Sequence, residues 1–441
     1  MRVAILDVYP SRPYRITKDT NGGYGTANDY GDSFLSRMLS RLVAKSVDWP
    51  PMYAAYAAAE LRAAGHDVRY ERTLETAGTA DLYLIPSSIV CHETEIEAVR
   101  QLVEQNATVA AIGPFAANVP DPYLKAGAIV IQGEPEMYFR GFKGTPQDIV
   151  RAGPLVPAAA AVAMDDLTFP AWDLIAERYP PRMGFVGGGK VTIPILATRG
   201  CPYSCSYYCT YPLQQGRKIR ARTPERIVAE MVHWQDTLGA SNFIFRDPVF
   251  SIDRKHTLAL CDAIERSGRK FTFTVETHLH NIDEELGARL RKCGLRLVYV
   301  GIESVTAEVL KNAHRFTIAL DKQKQRIRML EKMGIAVKAM FIFGFPADDE
   351  ASCAANIEFA AALRPSYAQF CVFTPYPGTP AFAEYREKIT ATRYEDFTQW
   401  NLVYRHPNFT PAAMRRMLDR AHRVFYTNPA WALKFALSKV F

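Results

Sequence analysis

Cys201, Cys205 and Cys209 fall within nine residues of the run TRGCPYSCSYYCTYP. Cysteines at that density suit an iron–sulfur cluster. Three thiolates hold three irons of a four-iron cluster and leave the fourth open to chemistry, whereas electron-transfer clusters usually take four cysteines. Zinc is the alternative. It wants four ligands, commonly paired thiolates with more Cys or His downstream, and no histidine lies between His92 and His233 to complete such a set locally. The run follows the strand-like stretch VTIPILATRG, which places the cysteines on a loop leaving a strand, where backbone groups are free to line a site.

The elements that must position this loop form an α/β chain. Residues 1–150 alternate apolar runs with helical patterns, as a doubly wound, Rossmann-like parallel sheet requires: RVAILDV, DLYLIPSS, ATVAAIGPF and AIVIQGEPE as strands, PPMYAAYAAAELRAAGHDV and ETEIEAVRQLVEQ as helices. Ligands of such sheets bind beyond the strand carboxyl ends, which singles out Ser87, Ser88, Gly113, Gly133 and Glu134. After the first strand comes SRPYRITKDTNGGYGTANDYGDSF, long enough to serve as a cofactor-covering loop or a plain surface insertion. Residues 151–190 read as a linker, with prolines at 154, 157, 170, 180 and 181 and three glycines at 187–189. Residues 191–390 repeat strand and helix six times, as an open, partial (β/α)6 barrel does, with chemistry expected at the strand carboxyl ends. Residues 391–441 form a helical, basic and aromatic C-terminal region, expected to cap the barrel.

Composition narrows the class. The 441 residues are 48% hydrophobic and 22% charged, ordinary globular usage with room for two or three domains. The balance of 53 basic against 46 acidic residues is too diffuse to imply nucleic acid. Cys91, Cys261, Cys293, Cys353 and Cys371 stand singly in apolar stretches and read as core residues of a reducing compartment. The opening MRVAILDVYP is not a signal peptide, and no apolar run is long enough to span a bilayer, so a cytoplasmic protein is expected.

The motifs resemble those of the radical S-adenosylmethionine (SAM) superfamily, and more narrowly of its members with an N-terminal cobalamin-binding domain. The cysteine run carries the resemblance, with Tyr208 as the aromatic that precedes the last cysteine. Here the cysteines are separated by three and three residues, where the family usually has three and two. GIES at 301–304, RD at 246–247, and the turns GFPADDE and TPYPGTP also match family motifs. The resemblance implies a 4Fe–4S cluster on the three cysteines. It implies SAM near Tyr208, Asp247, Glu276, Glu303, Ser304, Gly344 and Pro346, and cobalamin near the five positions of the first sheet. An Arg246–Asp247 ion pair is the plainer reading of RD. His278 and His280, after the strand FTFTVET, are candidates for proton transfer or substrate contact. Arg217, Lys218, Arg220 and Arg222 either balance cluster charge, reach a substrate anion, or form a solvated face. The histidine by which some cobalamin proteins ligate cobalt is missing, since no histidine precedes His66.

The resemblance implies electron entry into the cluster from a donor such as flavodoxin or ferredoxin, SAM cleavage, and hydrogen abstraction from an unactivated carbon of a metabolite or lipid by a 5′-deoxyadenosyl radical. With cobalamin, methyl transfer is expected. The alternatives are a cyclase, oxidase or rearrangement enzyme of the same architecture, and a non-catalytic iron–sulfur or cobalamin-binding protein.

Overall fold

The computed structural model describes residues 1–19, 22–183 and 191–437. The glycines expected at a turn, 187–189, lie outside the described residues. Two six-stranded sheets, parallel throughout, organise the chain. The first contains β1 (Arg2–Leu6), β2 (Asp67–Glu71), β3 (Leu82–Pro86), β4 (Val109–Ile112), β5 (Ile129–Ile131) and β6 (Leu155–Val156), in the order 2-1-3-4-5-6. Its inner strands β1, β3, β4 and β5 are apolar on both faces because helices cover both, α1 (Met52–Ala63) being one of them. Two strands are additions to the sequence reading. β2 alternates as DVRYE and was hidden behind the turn at Gly65, and β6 pairs with β5 inside the expected linker, so the first sheet runs past residue 150.

The second sheet contains β7 (Thr192–Ile195), β8 (Asn242–Phe245), β9 (Thr272–Glu276), β10 (Leu295–Glu303), β11 (Ala336–Phe343) and β12 (Tyr367–Val372), in sequential order. Side chains alternate across each strand. Phe243, Phe273, Val298, Val337 and Phe370 pack toward the helices in the main core. The intervening positions Glu276, Gly301, Met340, Gln369 and Cys371 line a cavity inside the barrel. Behind the barrel, Phe435 of the last helix packs on Tyr367 with ring centroids 5.8 Å apart, and Lys434 pairs with Glu331 at 2.7 Å. The C-terminal region therefore caps the barrel, as its sequence suggested. Among the described residues no helix is long and apolar enough to cross a membrane.

The long segment after β1 is folded between the two sheets. It contains a short antiparallel pair, Ile16–Thr17 with Thr26–Ala27, and it leads into a helix, Phe34–Ser46. Its anchor is Lys18, whose fully buried Nζ lies 3.0 Å from Asp7 and 2.8 Å from Glu95 and donates to the Pro86 carbonyl at 2.7 Å. Burial works against the ammonium, but Glu95 and Asp7 together hold its pKa above the ordinary lysine value. Removing the cation strands two buried carboxylates. Lys18→Met is therefore expected to cost about 3–5 kcal/mol of stability, read by denaturant unfolding, and adding Asp7→Asn and Glu95→Gln is expected to recover part of the loss.

Candidate active site

The cysteine loop leaves the short strand Thr198–Arg199 at the carboxyl end of β7, turns once as a 3-10 helix over Ser204–Tyr207, and ends in a helix at Tyr211–Gln215. Cys201, Cys205 and Cys209 all line one cavity of about 150 Å³, together with Tyr208, Glu276 and Glu303. The additional residue of the cysteine spacing is absorbed by the 3-10 turn. The Cys209 amide still closes onto the Cys205 carbonyl at 3.0 Å, and the Tyr208 ring enters the cavity wall against Phe345, centroids 5.5 Å apart.

The loop is held on all sides. Arg217 donates to the Ser206 hydroxyl at 2.7 Å and to the Pro202 carbonyl at 2.9 Å. The Ser204 hydroxyl donates to the His314 carbonyl at 2.7 Å, and Asn281 donates to the Tyr203 hydroxyl at 2.9 Å. The N-terminal segment closes the remaining side. Gly22, at φ +69, accepts from the Thr210 amide at 3.0 Å, and a Cβ there would sit 3.2 Å from the Cys209 sulfur. Only a residue without a side chain leaves that sulfur its approach.

The three thiols face one space. A four-iron cluster spreads its ligands over separate irons and needs only that they face one space. Burial raises the Cys201 thiol to about 11 and raises Cys205 and Cys209 as well, so thiolates here need positive charge beside them. Part of it comes from Arg315, 3.8 Å from the Cys205 sulfur, which also donates to the Gly301 carbonyl at 3.2 Å and pairs with Glu303 at 3.2 Å. Nothing in the sequence marked Arg315, a lone arginine between two helices.

Glu303 ends β10 with φ +63, a left-handed conformation costly for a side-chain-bearing residue, at a break in register between Gly301 and Glu303. The kink accompanies a carboxylate aimed at the cavity and at Arg315. Glu276 reaches the same cavity, where burial raises its pKa to about 7. Two carboxylates beside three thiols give a chamber suited to a cationic sulfonium with an ammonium group, as in SAM.

Other expected positions lie around this chamber. Asp247 is fully buried and accepts from the Ala197 amide at 3.1 Å and the Thr198 hydroxyl at 2.6 Å, so it holds the backbone entering the cysteine loop. Its neighbour Arg246 points the other way along the strand and pairs with Asp19 at 2.8 Å, not with Asp247. Ser304 is buried and accepts from the Thr306 amide at 3.2 Å. Gly344, at φ +72, gives its carbonyl to the Tyr404 hydroxyl at 2.9 Å, and Pro346 follows it in the turn after β11. His278 lines the chamber with both ring nitrogens engaged: Nδ1 accepts from the His280 amide at 3.1 Å and Nε2 donates to the Phe316 carbonyl at 3.0 Å. Burial lowers its pKa to about 4, which keeps it neutral. His280 is exposed.

A second cavity, of about 300 Å³, opens between the carboxyl edge of the first sheet and the barrel. Gly113, Gly133 and Glu134 line it from the sheet, Leu196, Arg199 and Gln215 from the barrel. Arg199 joins the two, 2.7 Å from Glu134 and 2.5 Å from Glu136, and Arg220 also pairs with Glu134. Arg222 pairs with Glu230 at 2.6 Å, so three of the four basic residues after the loop serve internal contacts. Ser87 and Ser88 are buried behind this cavity: the Ala116 amide donates to the Ser87 hydroxyl at 2.9 Å, and the Ser88 hydroxyl donates to the Tyr24 carbonyl at 2.7 Å.

Residues 195–360, from the end of β7 through the helix after β11, match the model of the radical SAM superfamily. The barrel is a radical SAM domain. A 4Fe–4S cluster and SAM are its cofactors, and the cysteine chamber offers the donor set for both. The chain is similar to an uncharacterized methyltransferase of Pyrococcus horikoshii, 25% identical over an alignment of 356 positions that covers 75% of each chain. It is also 25% identical to an anaerobic magnesium-protoporphyrin IX monomethyl ester cyclase of Cereibacter sphaeroides, over 87% of this chain and 68% of that one. The fold is shared with the radical SAM methyltransferase TsrM of Kitasatospora setae, solved with cobalamin and a 4Fe–4S cluster bound, at a TM-score of 0.63 and 17% identity over 85% of this chain and 86% of that one.

Proposed function

We propose that this radical SAM enzyme is a cobalamin-dependent methyltransferase acting on an unactivated carbon of a metabolite or lipid. The observation that carries the reading is the adjacency of the two cavities. The cysteine chamber and the cavity over the first sheet are separated by one short stretch, with Arg199 in the wall of the second only two residues before Cys201 in the wall of the first. A cofactor held beyond Gly113 and Gly133 faces the barrel mouth. The described residues lining this cavity include no histidine, so an imidazole ligand to cobalt is not part of the proposed site. The names of the Pyrococcus relative and of TsrM support methyl transfer.

In this reading the cluster and SAM supply the radical, and cobalamin supplies the methyl group. The chain supplies position and electrostatics. Cys201, Cys205 and Cys209 hold the cluster, Arg315 offsets its charge, and Glu276 and Glu303 hold the cationic end of SAM. Asp247 and Arg217 fix the loop, and Gly22 closes against it beside Cys209. Electrons come from a flavodoxin- or ferredoxin-type donor, and the five free, buried cysteines outside the loop suit a reducing cytoplasm.

The test is metal content after anaerobic production with cobalamin supplied, followed by incubation with SAM labelled in its methyl group. Cobalt near one per chain and a product carrying the intact labelled methyl are expected. Iron without cobalt, and a product without label, would sink this reading. Those results would favour cyclisation or oxidation, the second reading, which the similarity to the Cereibacter cyclase over 87% of this chain supports.

A further inference from the structure

Below the cysteine chamber the barrel holds cations without counter-ions. Glu276, Tyr299 and Lys338 stand side by side on β9, β10 and β11, in one row across the sheet. Lys338 lies two residues before Met340, which lines the chamber, hence about 7 Å further from the barrel mouth. Its ammonium sits over the Tyr299 ring, 5.0 Å from the centroid, and among the described residues it makes no hydrogen bond or ion pair. Arg15 enters the same region from the N-terminal segment. It lies over the Trp49 ring at 5.2 Å, and Trp49 packs in one cluster with Ile244 and Tyr299. Arg15 donates once, from Nη1 to Asn28 at 3.1 Å, while its buried Nε and Nη2 have no partner.

The nearby carboxylates offset this charge only in part: Asp19 and Asp48 pull the Arg15 pKa up, yet burial still leaves it lowered. Asp19 is paired with Arg246 at 2.8 Å, and Asp48 is paired with Arg72 at 2.8 Å. Glu276, the third, is raised to about 7 by burial. Burial first, and then the charges of Arg15 and Arg246, pull the Lys338 ammonium down to about 8 despite the opposing pull of Cys371 and Glu276. Two half-buried cations with no carboxylate paired to them cost free energy that a ligand's negative charge returns. Guanidinium N–H groups left open suit a two-oxygen partner.

We propose that Arg15 and Lys338 form an oxyanion site at the floor of the barrel and bind a carboxylate or phosphate carried by the substrate. The aromatic rings of Tyr299 and Trp49 flank the apolar part next to that group, and the far end of the molecule reaches up toward the cysteine chamber. The inference rests on the radical SAM reading for what happens at that far end.

The experiment is calorimetric titration of the anaerobically reconstituted protein with 4-phenylbutyrate, 3-phenylpropyl phosphate and the neutral 4-phenylbutanol. Both anions are expected to bind at least tenfold more tightly than the alcohol, and the tighter of the two identifies the group. Arg15→Gln and Lys338→Met are each expected to reduce that preference at least fivefold, with Lys338→Arg retaining it. Equal binding of anions and alcohol, or a preference untouched by both variants, overturns the proposal. Formation of 5′-deoxyadenosine by the same wild-type preparation separates the two failures: SAM cleavage without anion preference sinks only the oxyanion site, and anion preference without SAM cleavage sinks only the radical reading.

Discussion

Alanine at Cys201, Cys205 or Cys209 is expected to reduce iron from about four per chain to less than one, and to bring 5′-deoxyadenosine formation below detection in each variant. All three thiols line one chamber, and among the described residues lining it the only other thiol is Cys371 on β12, beyond the loop. The sharpest of the three is Cys209→Ala, because Cys209 is displaced by one residue from the usual spacing. The 3-10 turn and the close approach of Gly22 hold its sulfur in the chamber wall, so this variant is expected to fail as completely as the other two. Retained iron and SAM cleavage in Cys209→Ala alone would show that the cluster is held in another way.

Arg315→Gln carries the second large effect. The side chain is about one-tenth exposed and touches both Cys205 and Glu303. Without its charge the Glu303 carboxylate is left buried and unpaired, and the Cys205 thiol loses the group that draws its pKa down. About 3 kcal/mol of stability is expected to be lost, typical of breaking a buried pair, and SAM cleavage is expected to slow about 100-fold, as when a preorganised charge is removed from an active site, with iron per chain also reduced. Arg315→Lys keeps the charge and gives up the fork that spans sulfur, carboxylate and the Gly301 carbonyl, so partial recovery is expected. Rates within threefold of wild type in Arg315→Gln would assign the charge balance to other groups.

Much of this arrangement was legible in the sequence because it is local. Nine residues carry the cysteines, and each barrel strand announces itself as an apolar run ending in a turn, so the chamber's wall could be placed at the ends of FTFTVET and LRLVYVGIES. What escaped is pairing across long separations. The Glu134–Arg199 pair, the reach of Gly22 to Cys209 and the Lys18–Glu95 pair join residues dozens of positions apart, and single residues such as Arg315, Arg15 and Lys338 carry no periodic signature. RD at 246–247 shows the same limit. Two adjacent charges suggest a pair, yet strand geometry sends them to opposite faces, one into the barrel and one onto the loop that bears the cysteines. Strand β2 was obscured because its charged, alternating residues follow directly on the turn that ends a helix.

The most direct test of the account is 5′-deoxyadenosine formation from SAM by the anaerobically reconstituted protein with dithionite as reductant. The account predicts its formation, coupled to the appearance of methionine and absent when reductant is withheld. A protein loaded with about four irons per chain that leaves SAM intact under these conditions would contradict it.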